Sequence, residues 1–118
     1  MKKIQGFTLV EIIIVMAIIS MLVALTIPAY QNYARSSSEK ACLQETKAYA
    51  NYAFLALNDQ DDATHPSTPV SSACTNITDA STWTSGTADK TILGIPKFNG
   101  AKKTQCDLNI SPSCTLVP

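Results

Sequence analysis

The sequence lacks the side chains from which most catalytic and metal centres are built. It has one histidine, His65, and no cysteine pair spaced C-x-x-C. A structural zinc site takes four cysteine or histidine ligands, and a thioredoxin-like redox site takes the C-x-x-C pair. The chain also has no nucleophile–base arrangement and no phosphate-binding glycine loop. We therefore expect no enzymatic activity, no cofactor and no metal.

An excess of charge of either sign is absent too. Nine lysine and arginine residues balance nine aspartate and glutamate residues, so the formal net charge is zero. Nucleic-acid-binding domains are usually strongly basic, and this composition is not of that kind. With 118 residues the chain holds one globular domain at most.

Cysteine, in contrast, is frequent for so short a chain. A domain of this size usually needs covalent help to hold its core together. The cysteines are even in number and follow an N-terminal segment, described below, that resembles an export signal. This combination predicts two disulfides in an oxidising compartment, and free thiols are the alternative. The four residues, which permit three pairings, are Cys42, Cys74, Cys106 and Cys114.

The N-terminal part contains one long hydrophobic run with a charge at its head. Sixteen residues from Ile12 to Ile27 are almost wholly apolar, and Glu11 precedes them directly. A carboxylate in hydrocarbon is costly unless a partner neutralises it. Any explanation of this segment therefore has to say what Glu11 pairs with.

Two general explanations leave Glu11 without a partner. A secretory signal peptide would need a small-x-small cleavage site after the apolar run, and none follows. A plain transmembrane anchor fits better, because the 21 residues from Phe7 to Ile27 span about 31 Å as a helix. Lys2 and Lys3 would then stay in the cytoplasm, and the C-terminal domain would lie outside.

A third explanation includes the glutamate. Residues Lys2, Lys3, Gly6, Phe7 and Glu11 together resemble the class III signal of type IV pilins, in which a short basic leader ends in glycine. The resemblance implies that prepilin peptidase cuts between Gly6 and Phe7 and N-methylates Phe7.

The resemblance also implies a division of the chain into three parts. Residues 1–6 are the leader, residues 7–29 form a helix that is transmembrane before assembly and filament core after it, and residues 30–118 form a periplasmic or extracellular head. The match continues through "IPAYQNYARS", which places Pro28 at the position where the helix of the family usually bends.

Cleavage would create the partner that Glu11 needs. The new amine of Phe7 is cationic and lies in the same apolar layer, and a buried ion pair offsets the desolvation that either charge alone would suffer. In the family, this amine and this glutamate are proposed to pair between neighbouring subunits. The resemblance thus implies that Glu11, Phe7 and Pro28 are assembly residues.

Beyond Pro28 the sequence predicts a second helical part with two apolar faces. Proline removes a hydrogen bond and clashes with the preceding turn, so a kink or local melting is expected at residues 24–28. We expect one face to pack on the domain's own sheet and the other to contact neighbouring subunits, with a single wide buried stripe as the alternative. The first face comprises Cys42, Thr46, Tyr49, Ala50, Ala53 and Leu57. The second comprises Tyr30, Ala34, Ala41, Ala48, Tyr52 and Leu55.

The remainder predicts a small sheet. Residues 58–88 are rich in polar residues and predict a long connection with little regular structure. Residues 90–98 and 105–110 are expected to form short strands, and Asn99-Gly100 between them favours a hairpin turn. Residues 114–118 are expected to add an edge strand. The predicted fold class is α+β, with one long N-terminal helix packed on a small antiparallel sheet, as in type IV pilins.

The C-terminal cysteines fit this family as well. Cys106 and Cys114 enclose seven residues, an easy hairpin closure, which matches the C-terminal disulfide loop of type IV pilins. The remaining pair is then Cys42 and Cys74, which would tie the helix to the long connection.

A small basic patch lies near the predicted hairpin, at Lys97, Lys102 and Lys103. These side chains could touch DNA phosphates in a competence pilus. Three lysines without aromatic residues, however, usually mark a solvated turn.

The function implied by the resemblance is structural. The chain would be the subunit of a type IV pilus filament that serves twitching motility, surface adhesion or DNA uptake. Its partners would be further copies of itself, prepilin peptidase, the assembly machinery with its minor pilins, and the inner membrane of a Gram-negative-type bacterium before export to the extracellular pilus. The alternatives are a minor pilin or type II secretion pseudopilin and, from another class, a membrane-tethered binding domain that never polymerises.

Overall fold

The protein begins with one long helix, seen in a computed structural model that describes residues 5–59 and 65–118. Helix α1 runs from Leu9 to Asn58 and is α-helical through Pro28. The local melting expected at residues 24–28 is therefore wrong, and the kink stays a prediction. Proline removes one intrahelical hydrogen bond, and this single loss does not interrupt the helix. Lys2 and Lys3 of the predicted leader lie outside the described residues.

The chain divides into two units, one ending at Tyr33 and the other beginning at Ala34. Every described residue of the first unit is exposed. This part of α1 is apolar on all sides and is long and apolar enough to cross a membrane. A helix of that kind is stable only when lipid or other protein covers it.

In the second unit one face of α1 forms half of the core. The spacing argument predicted this face correctly, except that Tyr49 is only half-buried and Ala56 joins the buried set. The face carries small side chains, which lets the sheet approach the helix closely. Its buried residues are Cys42, Thr46, Ala50, Ala53, Ala56 and Leu57.

Apart from the half-buried Ala34, the second predicted face is not covered by the residues that the structure describes. Tyr52 and Leu55 are exposed, and so are Ala41 and Ala48. A single wide buried stripe is therefore excluded. The contact of this face with neighbouring subunits stays a prediction.

The sheet has four antiparallel strands in the order of the sequence. The predicted α+β class, a long helix with a small antiparallel sheet, is confirmed. The strands are β1 (Cys74–Ile77), β2 (Thr91–Pro96), β3 (Lys103–Asp107) and β4 (Ser113–Val117).

Strand β1 corrects the sequence prediction. It lies inside the segment 58–88, which was expected to have little regular structure, and pairs with β2 through an irregular register between Cys74 and Asn76. Its four residues show no alternation of apolar and polar side chains. Long-range contacts rather than local pattern place this strand.

The other strands lie near their predicted positions. Strand β2 ends two residues before Phe98, and β3 begins two residues before Gln105 and ends three before Ile110. The turn between them contains Gly100 with φ of 78°, a conformation that favours glycine. The predicted hairpin is thus confirmed with a longer turn, and β4 is the predicted edge strand.

At Gly94 the sheet lies very close to the helix. A Cβ atom built at this glycine would lie 3.0 Å from Cβ and 3.2 Å from Cγ2 of Thr46, and would overlap its hydroxyl oxygen. Thr46 is completely buried. Only glycine lets β2 lie this close to α1.

Two disulfides fasten the second unit. Cys42 of α1 is joined to Cys74 of β1, and Cys106 of β3 is joined to its cross-strand neighbour Cys114 of β4. The resemblance implied the pair of Cys106 with Cys114, and the pair of Cys42 with Cys74 was the one that remained. Each holds an edge strand, one to the helix and the other to the adjacent strand.

Two polar side chains of α1 hold the loops that flank β1. The carboxylate of Glu45 accepts hydrogen bonds from the Ala73 N–H at 2.7 Å and from the Ser72 N–H at 2.8 Å, and also from the Ser72 hydroxyl. The Tyr49 hydroxyl donates to the Ser67 carbonyl at 2.9 Å and accepts from the Ala80 N–H. The helix thereby fixes the path of the chain into and out of β1.

These contacts change the acidity of both groups. Partial desolvation raises the pKa of Glu45, but the hydrogen bonds from Ala73 and Ser72 outweigh it, so this pKa lies below its ordinary value. Burial raises the pKa of the Tyr49 phenol. Glu45 is therefore held as a carboxylate at neutral pH.

Candidate functional site

Glu11 takes part in the start of α1. Its carboxylate accepts a hydrogen bond from the Thr8 N–H at 2.9 Å, and its own N–H donates to the Thr8 hydroxyl at 3.2 Å. This reciprocal pair is a capping box, with Thr8 as the N-cap and Glu11 three residues later. The sequence analysis missed this contact, although the pattern Thr-x-x-Glu is readable.

The capping box leaves part of the Glu11 carboxylate free for another partner. The only bond to its carboxylate that the structure gives among residues 5–59 and 65–118 is the one from Thr8 to Oε2. A carboxylate can accept about four hydrogen bonds. A cationic amine at Phe7 would arise directly beside the N–H that Glu11 already binds.

Gly6 and Phe7 precede the helix in extended, exposed chain. Phe7 is 84% exposed. A Cβ atom at Gly6 would meet nothing within 4 Å, and its φ is not in the left-handed region. The fold therefore does not require glycine at this position, and any such requirement comes from a partner outside the chain.

The apolar segment places a single carboxylate among fully exposed hydrophobic side chains. All large apolar side chains from Phe7 to Ile27 are exposed, as is Glu11. This surface can be stable in lipid or when packed against similar helices, but not in water. Glu11 is the one acidic residue of the segment, so pairing it is the main electrostatic problem of either environment.

Lys97, Lys102 and Lys103 come together at the turn between β2 and β3. All three are exposed, and the first two lie within the turn itself. The backbone of this turn is bound by α1, since the Phe98 N–H donates to Ser38 and the Lys102 N–H donates to Glu39. The predicted basic patch therefore has a fixed position on the head.

The loop closed by Cys106 and Cys114 is exposed at its tip. Ile110 is 91% exposed, and Asn109 folds back on Asp107 through two hydrogen bonds. This leaves an apolar side chain presented to the surroundings. The loop lies at the edge of the sheet formed by β3 and β4.

The chain resembles one family of known proteins and several individual proteins. The family described as "Prokaryotic N-terminal methylation motif" matches residues 1–27. A "Fimbrial protein" of Pseudomonas aeruginosa is 36% identical over 69 residues, which cover 58% of this chain and 45% of that protein. A "Type IV major fimbrial protein FimA" of Dichelobacter nodosus is 51% identical over 47 residues, 39% of this chain and 30% of that protein.

The resemblance to type IV pilins is confirmed. The chain carries the type IV prepilin motif at its N-terminus and combines it with a pilin-like α+β fold. A third relative, "Prepilin peptidase-dependent protein D" of Escherichia coli (strain K12), is 47% identical over 49 residues, 42% of this chain and 34% of that protein.

The family model matches residues 1–27 of the chain. The chain spans about 45% of the length of the first curated relatives. No solved structure matches the chain. The proposed function therefore rests on three features: the motif, the exposed apolar helix and the geometry around Glu11.

Proposed function

We propose that this chain is the repeating subunit of a type IV pilus. Prepilin peptidase removes residues 1–6, and Phe7 becomes the methylated first residue of the mature subunit. Residues 7–29 anchor the subunit in the inner membrane before assembly and form the filament core after it. Residues 30–118 form the head, which becomes part of the surface of the extracellular pilus.

A single observation carries the proposal, namely the lone carboxylate of Glu11 on an exposed apolar helix within an N-terminal methylation motif. A transmembrane anchor alone gives no reason for this charge. A polymer does, because the amine of Phe7 in one subunit can pair with Glu11 of its neighbour. A lone subunit leaves Glu11 without the amine of a neighbour in the membrane, so pairing favours addition to the filament.

The exposed second face of α1 supports the same proposal. Tyr52 and Leu55 lie on this face, and Leu55 is 70% exposed. Together with Ala41 and Ala48, which are also exposed, they form an apolar surface. We assign this surface to contacts with neighbouring subunits in the filament.

The filament would serve twitching motility, surface adhesion or DNA uptake. Adhesion would use exposed parts of the head such as the loop closed by Cys106 and Cys114. DNA uptake would place phosphates at Lys97, Lys102 and Lys103, and its affinity would fall steeply with salt. A gel-shift titration of sheared filaments with DNA at two salt concentrations tests this use separately.

The variant Glu11→Gln tests the central part of the proposal. Glutamine also serves at the third position of a capping box, so the contact with Thr8 and the helix start are retained. What is removed is the charge that pairs with Phe7, and breaking a buried pair from one side costs roughly 3–5 kcal/mol at each added subunit. We expect normal membrane levels of the variant and few or no surface filaments.

The matched control is Thr8→Ala, which breaks the capping box and leaves the carboxylate. It should cost about 1 kcal/mol at the helix start and still permit filaments. Abundant filaments from Glu11→Gln would show that Glu11 acts only as a helix cap. The same would follow if Thr8→Ala lost its filaments while Glu11→Gln kept them.

The abundance of the subunit separates the alternatives. A major pilin dominates the sheared surface fraction, whereas a minor pilin or a secretion pseudopilin is scarce there. A membrane-tethered binding domain that never polymerises remains entirely in the membrane fraction. Quantitative mass spectrometry of the two fractions distinguishes the three.

A further inference from the structure

The turn between β2 and β3 is bound to the beginning of the head's helical part. The Phe98 N–H donates to the Ser38 hydroxyl at 3.3 Å, and the Lys102 N–H donates to the Glu39 carboxylate at 2.9 Å. The guanidinium of Arg35 lies over the Phe98 ring, 5.9 Å from its centre, a cation–π contact. Residues 97–103, here named the basic hairpin, are thus held at residues 35–39 of α1.

The surface formed in this way is strongly positive. Besides the three lysines of the basic hairpin, Arg35 and Lys40 are exposed on α1. The Glu39 carboxylate contacts this turn, and its oxygen is engaged by the Lys102 N–H. Among residues 5–59 and 65–118, no ion pair to these cations is found, so several positive charges gather at this part of a chain whose total charge is zero.

In the sequence, the residues that hold the basic hairpin follow the apolar segment closely. The apolar run ends at Ile27, Tyr30 and Tyr33 follow, and Arg35 comes two residues later. Both tyrosines are exposed, at 70% and 72%. Tyrosine is enriched at the boundary between hydrocarbon and water. The order of apolar run, tyrosines and cations is that of a helix leaving a bilayer through its headgroups.

We propose that the basic hairpin binds the anionic phospholipid headgroups of the membrane that holds the unassembled subunit. This inference rests on the membrane stage of the proposed function. Each lysine or arginine near an anionic surface strengthens binding by about 1 kcal/mol, equivalent to about a fivefold change in the docked-to-undocked ratio. The attraction acts within a Debye length of about 10 Å at ordinary salt.

Lipid explains the position of the surface better than the other polyanions do. DNA would be met by the assembled filament. Binding to DNA gives no reason for cations that follow the apolar segment so closely in the sequence. Binding of the basic hairpin to an acidic surface of a second copy would depend on the crowding of subunits and not on anionic lipid. Both are outcomes of the following experiment.

The experiment uses the full chain in nanodiscs made of phosphatidylcholine alone or of phosphatidylcholine with phosphatidylglycerol. Hydrogen–deuterium exchange of residues 97–103 is measured at low salt and at about 1 M salt, where the Debye length is about 3 Å. We expect slower exchange in phosphatidylglycerol discs at low salt and no difference at high salt.

Matched double variants identify the side chains responsible. K97Q/K103Q should lower the docked-to-undocked ratio about 25-fold, since each charge contributes about fivefold and separate charges add. K47Q/K90Q removes the same charge elsewhere on the head and should change it less than about twofold. Equal exchange in both lipids, or equal effects of the two variants, would overturn the inference.

Two further outcomes would assign the surface to another partner. Protection that rises with the number of copies per disc, whatever the lipid, would indicate a second copy. Protection by added double-stranded DNA but not by phosphatidylglycerol would indicate DNA. Filament formation by K97Q/K103Q is scored in parallel, so a failure here with normal filaments leaves the proposed function standing. A chain that does not enter nanodiscs would contradict the membrane stage itself.

Discussion

Gly94→Ala adds one methyl group at the point where β2 crosses α1. The new Cβ would lie 3.0 Å from Cβ and 3.2 Å from Cγ2 of Thr46, whereas carbon atoms normally pack at about 3.5–4.0 Å. Thr46 cannot turn away freely, because it is fully buried and its hydroxyl lies 3.4 Å from Sγ of Cys74. The sheet would have to move, or the disulfide at Cys42 and Cys74 would have to shift.

We expect Gly94→Ala to destabilise the head by about 3 kcal/mol, at the upper end of overpacking effects. For a domain of about 60–100 residues this lowers Tm by roughly 12–24 °C. Trp83 is the single tryptophan and packs against the core. Its fluorescence therefore reports unfolding of the head in detergent-solubilised full chain.

A double-mutant cycle with Thr46→Ala isolates the clash. Thr46→Ala alone should cost about 1–2 kcal/mol for the lost methyl group and hydroxyl. Because it also removes two of the three Thr46 atoms that the new Cβ would approach, the hydroxyl oxygen and Cγ2, the double variant should be more stable than Gly94→Ala alone. Strictly additive effects, or a Gly94→Ala head within about 0.5 kcal/mol of the parent, would refute the proposed packing.

Two other predictions concern how the head is fastened. The depressed pKa of Glu45 contributes stability that is complete above the unfolded-state pKa and is lost as pH falls through the folded-state pKa. Glu45→Gln should therefore unfold more easily than the parent at neutral pH, and the difference should shrink on acidification; a difference that grows in acid would contradict this. Peptide mapping without reductant should recover Cys42 joined to Cys74 and the C-terminal pair, and a peptide joining Cys42 to a C-terminal cysteine would overturn this topology. Replacing Cys42 and Cys74 by alanine should cost about 3.7 kcal/mol from loop entropy, because these cysteines are 32 residues apart. Replacing the C-terminal pair, whose cysteines are 8 residues apart, should cost about 2.6 kcal/mol. Equal costs would show that native packing dominates.

The parts of the fold that local pattern determines could be predicted from the sequence. Helical spacing identified the buried face around Ala50 and Ala53, because a helix repeats its contacts every three to four residues. Asn99-Gly100 identified the hairpin, because a turn of this kind needs a residue that accepts positive φ. The residues proposed for processing and assembly came from a short, specific motif.

Contacts between distant residues could not be predicted in the same way. Strand β1 has a polar, irregular sequence and is defined by pairing with β2 and by the bridge to Cys42. Glu45 contacts residues 72 and 73, and nothing in their local sequence indicates this partner. Local cues existed for the capping box at Thr8 and for Gly94 inside a strand, and either could have been read.

The most direct test of the account is the mass of the subunit in filaments sheared from the surface of expressing cells. We predict that this fraction is dominated by a chain that begins at methylated Phe7, with both disulfides intact. Gly6→Val should leave the head folded, since nothing lies within 4 Å of an added side-chain atom at this position, and should leave the chain uncleaved in the membrane. Surface filaments built from a chain that begins at Met1, or a sheared fraction without this chain while the membrane fraction contains it, would contradict the account.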